Sequence, residues 1–327
     1  MRRNSSPLLA LALLVPALGA MLPAAAHARG LAFVVNSNDA TVSLIDVETQ
    51  RELRRVPMLR EPHHMALTPD HKSLLIGDTT GNALFFLDPH TGAVQRRLAV
   101  SDPYQLVFSP DGTRLTVAGL ARNQIDIYDA ATYRLLHRIP ARSMPSHINY
   151  SPDSRRVFVS LQGTDSLIAI DVASGQVLWE TRVGTTPAGV LWHDGKLLVG
   201  IMGEAHIAVV DPADGHVERV IPTGEGMHTM FVPPDHSAIY ATNRVGGTIT
   251  VLDPRTLEVV RTLRVPGGAD DIDFAPDGKL WTGLRWRQAV AVIDPRTGDY
   301  QIIRVGRSPH GIWLNTHDTL PETTASR

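Results

Sequence analysis

The chain has 327 residues, 43% of them hydrophobic and 20% charged, with 31 basic against 33 acidic side chains and no cysteine. This is an ordinary globular balance, and the missing thiol excludes disulfides, cysteine nucleophiles, Cys-ligated metal, a lipid-modified cysteine anchor and CxxCH haem attachment. A chain without basic excess also lacks the charge signature of a protein that tracks a phosphate backbone, so no nucleic-acid partner is expected.

The first 28 residues stand apart. Arg2 and Arg3 form a basic start, Leu8 to Leu22 is an apolar run interrupted by Pro16, and Ala26-His27-Ala28 fits a small-x-small cleavage site. This pattern predicts a secretory signal peptide over 1–28, and hence a periplasmic or secreted protein. No other apolar run approaches the length of a spanning helix. The remainder carries 29 basic and 33 acidic residues.

From there, short apolar or alternating runs are punctuated by turn residues. Leu31–Asn36, Thr41–Asp46 and Glu52–Pro57 read as three strands. "HHMALTPD", "KSLLIGD", "NALFFLD" and "AVQRRLAV" then read as four more, with "PHTG" reversing the chain before the last. No segment sustains a period near 3.6, so essentially no helix is expected. The group of four recurs. One Asp series falls at 70, 111, 153, 194, 235, 277 and 318, and a second at 46, 88, 129, 171, 211, 253 and 294. Both have spacings of 40 to 42 residues. A period of about 40–45 residues built from four short strands predicts a β-propeller, here all-β with seven blades. The N-terminal part supplies second, third and fourth strands without a first. His310–Asn315 supplies a first strand alone. The two ends should share a blade and close the ring, giving one propeller over 29–318 and a flexible polar tail over 319–327.

The segments "FVVNSNDATVSLIDVET", "RVGRSPHGIWL" and "IYATNRVGGTITVLDPRTLEVVRTLRV" resemble the YVTN-repeat β-propeller family, related to cytochrome-d1-type haem propellers and their accessory proteins. The resemblance covers the whole chain after residue 28. It implies the fold, and for function it implies cofactor or metal handling without naming a reaction.

In an up-and-down propeller, the start of each first strand converges on the central channel mouth. One residue after the usual Pro, that slot holds His63, Tyr104, Ser146, Ala188, His228, Asp270 and His310; the next position holds His64, Gln105, His147, Gly189, Thr229, Asp271 and Gly311. His228, Asp270, His310 and His63 come from four consecutive blades and form a candidate metal or haem-iron site, since imidazole and carboxylate suit transition metals. Arg122, Arg244, Arg285 and Arg287 on the second loop set, with Tyr104 and His147, are candidate cofactor contacts, because guanidinium pairs with carboxylates such as those of a tetrapyrrole. Glu204 and Asp39 on equivalent loops dilute that positive field. The same histidines could instead cap strand entries, bind a small polar ligand or act as general acid-base groups. No Gly-rich phosphate loop, HExxH or GxSxG is present. The other histidines (His71, His90, His137, His193, His206, His216, His236 and His317) are expected at solvated turns and edges.

The expected function is that of an exported propeller binding a small ligand or a protein partner on its top face, as an accessory factor in cofactor or metal handling. A metal- or haem-dependent enzyme and a pure interaction scaffold are the alternatives. The cofactor is a transition metal or a haem-type tetrapyrrole, if there is one. A monomer without a membrane span is expected.

Overall fold

A computed structural model describes residues 30–316. The signal peptide and the tail read from the sequence lie outside the described residues. Within them the chain forms seven four-stranded antiparallel sheets arranged as a seven-bladed β-propeller. A single 3-10 turn, Ser37–Asp39, is the only helical element among the described residues. Blades 1 to 6 span 62–99, 105–140, 145–182, 187–222, 227–264 and 269–304, and each takes its four strands in chain order. Blade 7 pairs Pro309–Asn315 with Leu31–Asn36, which continues into Thr41–Asp46 and Arg51–Pro57. The ends are thus joined in register, with Leu31 opposite Asn315 and Phe33 opposite Trp313.

The strand pattern follows burial. Second and third strands are largely buried: Leu74–Asp78 and Ala83–Leu87 are buried at every position, as expected of strands covered on both faces. Fourth strands such as Val94–Ala99 are mostly exposed and polar, which blunts the outer edge of each blade. Seven apolar clusters fill the seven gaps between neighbouring blades. The cluster uniting Phe33, Leu44, Leu74 and Phe85 joins blade 7 to blade 1, and that of Trp281, Val292, Val34 and Leu314 joins blade 6 to blade 7. The members of the two Asp series that lie among the described residues sit in turns; Asp318 lies outside them. Asp253 Oδ1 accepts from the backbone N–H groups of Arg255 and Thr256, and Asp70 Oδ1 from that of Lys72.

One irregularity recurs where the site lies. In blade 1, Pro62 pairs with Asp78 and Met65 with Ile76, so His63 and His64 together oppose the single residue Gly77. The same two-against-one bulge occurs in blades 3, 4, 5, 6 and 7. A bulge suspends the alternation of a strand and re-aims its side chains. The residue opposite can be small because the next blade passes close by: a Cβ on Gly77 would lie 2.3 Å from the Pro103 carbonyl oxygen.

Candidate functional site at the inner strand entries

The bulges deliver consecutive residues to the channel axis. The side chains of His63, His64, His147, His228, Asp270 and His310 gather there, and none is more than 4% exposed. The sequence places these residues at an open mouth; the structure corrects this to a sealed cluster. Tyr104, Asp271, Arg244 and Arg285 are only partly buried and lie on its solvent side.

The rings pack on one another. His63 lies between Tyr104 and His310, with ring centroids 4.1 and 3.8 Å away. His64 meets His310 edge-on at 4.5 Å and His147 at 5.5 Å, and His147 meets His228 at 4.8 Å. The carboxylate of Asp270 is the electrostatic hub. Arg244 donates to its Oδ1 through Nε at 2.8 Å and also through Nη2, and Arg285 Nη1 donates to Oδ2 at 3.2 Å. His228 Nδ1 lies 3.0 Å from Asp270 Oδ1, off the hydrogen-bond direction. Arg244 Nη2 also reaches His310 Nε2 at 3.2 Å, and His64 Nδ1 lies 3.3 Å from Asp271 Oδ2.

The protonation states follow from burial and charge. Burial, reinforced by neighbouring imidazoles and by Arg244, holds His63, His147 and His310 well below the usual imidazole range, and Arg285 adds to the effect on His63 and His310. His228 is lowered to about 4 by burial and then by Arg244, with Asp270 pulling the other way. For Asp270 burial opposes ionisation, but Arg244, His228 and Arg285 together override it and keep the carboxyl well below its ordinary value. Burial pushes the Tyr104 phenol up to about 12, so it stays a hydrogen-bond donor. Neutral rings with such depressed affinity for protons are poor general bases near pH 7, where a base is best matched to the working pH. Their lone pairs suit coordination and hydrogen-bond acceptance instead.

Several of these nitrogens have nothing to bond. His63 Nδ1, His64 Nε2, His147 Nε2, His228 Nε2 and His310 Nδ1 are buried without a hydrogen-bond partner. Buried polar atoms are rarely left so, and this concentration of them marks a place where an ion, water or polar group can bind. The donor set fits a metal ion or the metal of a tetrapyrrole by its chemistry, with His63, His64 and His310 forming one close group and His228, Asp270 and His310 another.

Of the ten residues singled out from sequence, eight converge: His63, His228, Asp270, His310, Tyr104, His147, Arg244 and Arg285. Arg122 and Arg287 do not. Arg122 is exposed, its backbone N–H given to Asp102, and Arg287 is exposed with its guanidinium against the Pro266 carbonyl oxygen. Their loops open on the right face, but loop position does not fix side-chain direction. The sequence places His64 and Asp271 one position beyond the slot and does not single them out as ligands. Some of the scattered histidines are also not merely solvated, His90 and His206 among them. His193 Nε2 contacts the Pro254 carbonyl oxygen at 2.5 Å and His137 Nε2 that of Ala173 at 3.0 Å, each linking adjacent blades. A cleft of about 680 Å³ between blades 5 and 6, lined by Pro233, Tyr240, Phe274 and Pro276, lies at the far ends of the first strands. An equivalent one of about 610 Å³ separates blades 1 and 2. Their recurrence marks them as gaps between splayed blades, remote from the cluster.

The sequence matches the YNCE-like β-propeller family over residues 3–321. The chain belongs to that family. It is 23% identical over 247 residues to the uncharacterized protein YncE of Salmonella typhimurium, covering 67% of each chain. It is 23% identical over 392 aligned positions to the protein NirF of Pseudomonas aeruginosa, covering 95% of this chain and 98% of that one. Among solved structures, the dihydro-heme d1 dehydrogenase NirN in complex with DHE superposes with a TM-score of 0.67 at 18% identity, over 92% of this chain and 78% of NirN. A hydrazine synthase of Kuenenia stuttgartiensis gives 0.63 at 18% identity, over 83% and 94%. At these identities the structural likeness establishes the propeller fold. No described helix is long and apolar enough to cross a membrane.

Proposed function

We propose that the chain is an exported, non-catalytic ligand-binding propeller that takes a haem-type tetrapyrrole at the inner strand entries, as an accessory factor in cofactor handling. The observation that carries this reading is the group of buried imidazole nitrogens without partners. His63 and His310 would face the metal of the ligand. Arg244 and Arg285, 16% and 23% exposed, would meet its carboxylates once released from Asp270. The exposed Trp286 beside Arg285 packs over Gly268, where its face is available to a planar ring. The likeness to NirF and to a haem-d1-related dehydrogenase supports the ligand class. The depressed proton affinity of the rings favours binding over acid-base catalysis.

The test is a visible-absorption titration of the purified protein with ferric haem at pH 7. The expected result is a saturable shift of the main band with one ligand per chain, weakened strongly by His310→Ala and His63→Ala and made salt-sensitive by the arginines. Titrations with no saturable shift, or unaffected by both substitutions, contradict the reading. An interaction scaffold is the second reading, favoured by exposed Leu59, Met144, Val245 and Trp286 on the loops of this face. A protein partner that binds the unliganded chain and is lost on Trp286→Ala and Val245→Ser would support it.

A further inference from the structure

We infer that His63, His64 and His310 form a site for one first-row transition-metal ion that prefers imidazole, such as Zn(II), Co(II) or Cu(II), and that Asp270 is not among its ligands. The inference rests on the imidazole cluster being a ligand site, as proposed above, but concerns a different ligand.

Two overlapping triads compete for this role, sharing His310: His63 with His64, or His228 with Asp270. In each, the donor atoms lie within 4.8 Å of one another. Bonds of about 2.0–2.1 Å to one metal need donors no more than about 4.2 Å apart, so either triad would close by less than about 1 Å. The arginines decide between them. Asp270 is held by both Arg244 and Arg285. Turning its carboxylate to a dication would leave two guanidiniums unpaired beside that charge. In the other triad only His310 touches an arginine. His63 Nδ1, His64 Nε2 and His310 Nδ1 are each buried without a partner.

His64 has a further feature of a metal ligand. Its Nδ1 faces the Asp271 carboxylate at 3.3 Å, which fixes the ring and leaves Nε2 free. Metal-ligating histidines generally give their second nitrogen to such a group. Arg244 has the opposite effect. A guanidinium only donates, so His310 Nε2 accepts from Arg244 and the ring proton sits on Nδ1. His310 therefore coordinates only after Arg244 withdraws, which frees Nε2 either to be the ligand itself or to carry the ring proton while Nδ1 coordinates. Arg244 competes with the metal and sets its affinity. Three imidazole ligands leave a coordination position open, as in sites that bind an additional small ligand.

The experiment uses the chain from residue 29 onward, stripped with chelator and titrated with Co(II) at pH 7.5. Visible d–d absorption is the readout, with Zn(II) as competitor. The expected result is one equivalent bound. His64→Ala and His310→Ala should each weaken binding by more than the roughly 10–100-fold expected for Asp271→Asn, which removes only the orienting carboxylate. Arg244→Gln should tighten it. His228→Ala, which the other triad requires, should bind as the parent does. Circular dichroism and melting temperature establish that each variant is folded, and His64→Gln replaces His64→Ala if it is not. The proposal is overturned by an absence of saturable Co(II) or Zn(II) binding, or by binding that survives His64→Ala and is lost in His228→Ala. Ferric haem is titrated into the same stripped sample. Haem bound without metal sinks this inference alone, and neither bound sinks the tetrapyrrole reading as well.

Discussion

Asp78 holds the loop that delivers His63 and His64 to the channel. Its buried carboxylate accepts from the backbone N–H groups of Leu59, Arg60, Glu61 and Gly81, all within 2.9 Å. Hydrogen bonds to a charged acceptor contribute roughly 1.5–3 kcal/mol each, and buried donors left unpaired cost more. Asp78→Ala should therefore destabilise the fold by at least about 3 kcal/mol in urea unfolding; a loss under about 1 kcal/mol would mean water replaces the carboxylate easily. The buried rings make a second prediction. The folded values of His63, His147, His228 and His310 are lowered, so below about pH 6.5 the unfolded chain binds protons that the folded rings do not. Stability should be full above pH 6.5 and fall progressively as pH drops towards the folded values. For His228, lowered to about 4, this is on the order of 3 kcal/mol over the window. Asp270, also lowered, adds its loss only below the ordinary carboxyl range, through the same linkage. Urea midpoints at pH 7.5, 5.5 and 4.5 measure this; equal stability at all three would show that the rings titrate in the folded state.

At the scale of the strand, the bulge explains what the sequence could and could not reveal. The slot after the usual Pro is legible from the repeat, and its residues His63, His228, Asp270 and His310 lie near one another in the ring. Strict alternation would send the next residue to the opposite face of the sheet. His64 and Asp271 break that rule because two residues oppose one in the bulges of blades 1 and 6. Nothing in "PHHMAL" announces a bulge. The nearest signal is Gly77 on the facing strand, matched by Gly200 and Gly283 in blades 4 and 6, where small residues admit the next blade's backbone. Gly77→Ala should place a Cβ against the Pro103 carbonyl and cost about 1–3 kcal/mol by overpacking. Gly195, in a left-handed turn at φ +78° with nothing within 4 Å of an added Cβ, is the contrast. Gly195→Ala should cost only the backbone strain, about 1 kcal/mol. Equal losses in the two variants, by denaturant unfolding, would remove the argument that Gly77 is small because backbone approaches it.

For the whole molecule, the seven-fold period made the architecture legible, since two independent Asp series kept one spacing. The ring closure was legible too, from a first strand at one end and three unmatched strands at the other. The structure adds how the join is fastened. Asp273 accepts from the Leu314 N–H at 2.6 Å, and Asn315 Nδ2 donates to the Pro89 carbonyl at 2.7 Å. Arg307 pairs with Asp39 across the join. Deleting residues 309–327 should unpair Leu31–Asn36 and open two inter-blade clusters, giving aggregation or loss of cooperative unfolding. Deleting 320–327 alone should leave the melt unchanged, and a 309–327 deletion that melts like the parent would refute the closure.

What the period could not show is what the closed ring holds, because blade residues that build the fold are silent about its ligand. The central claim, that the sealed histidine cluster is a ligand site, is tested most directly on protein purified from its source cells without chelator or denaturant, by optical spectrum and metal content together. A bound chromophore or one equivalent of transition metal is expected, absent from the folded His63→Ala/His310→Ala double variant purified the same way. Colourless, metal-free protein that also takes up neither haem nor Co(II) would contradict it.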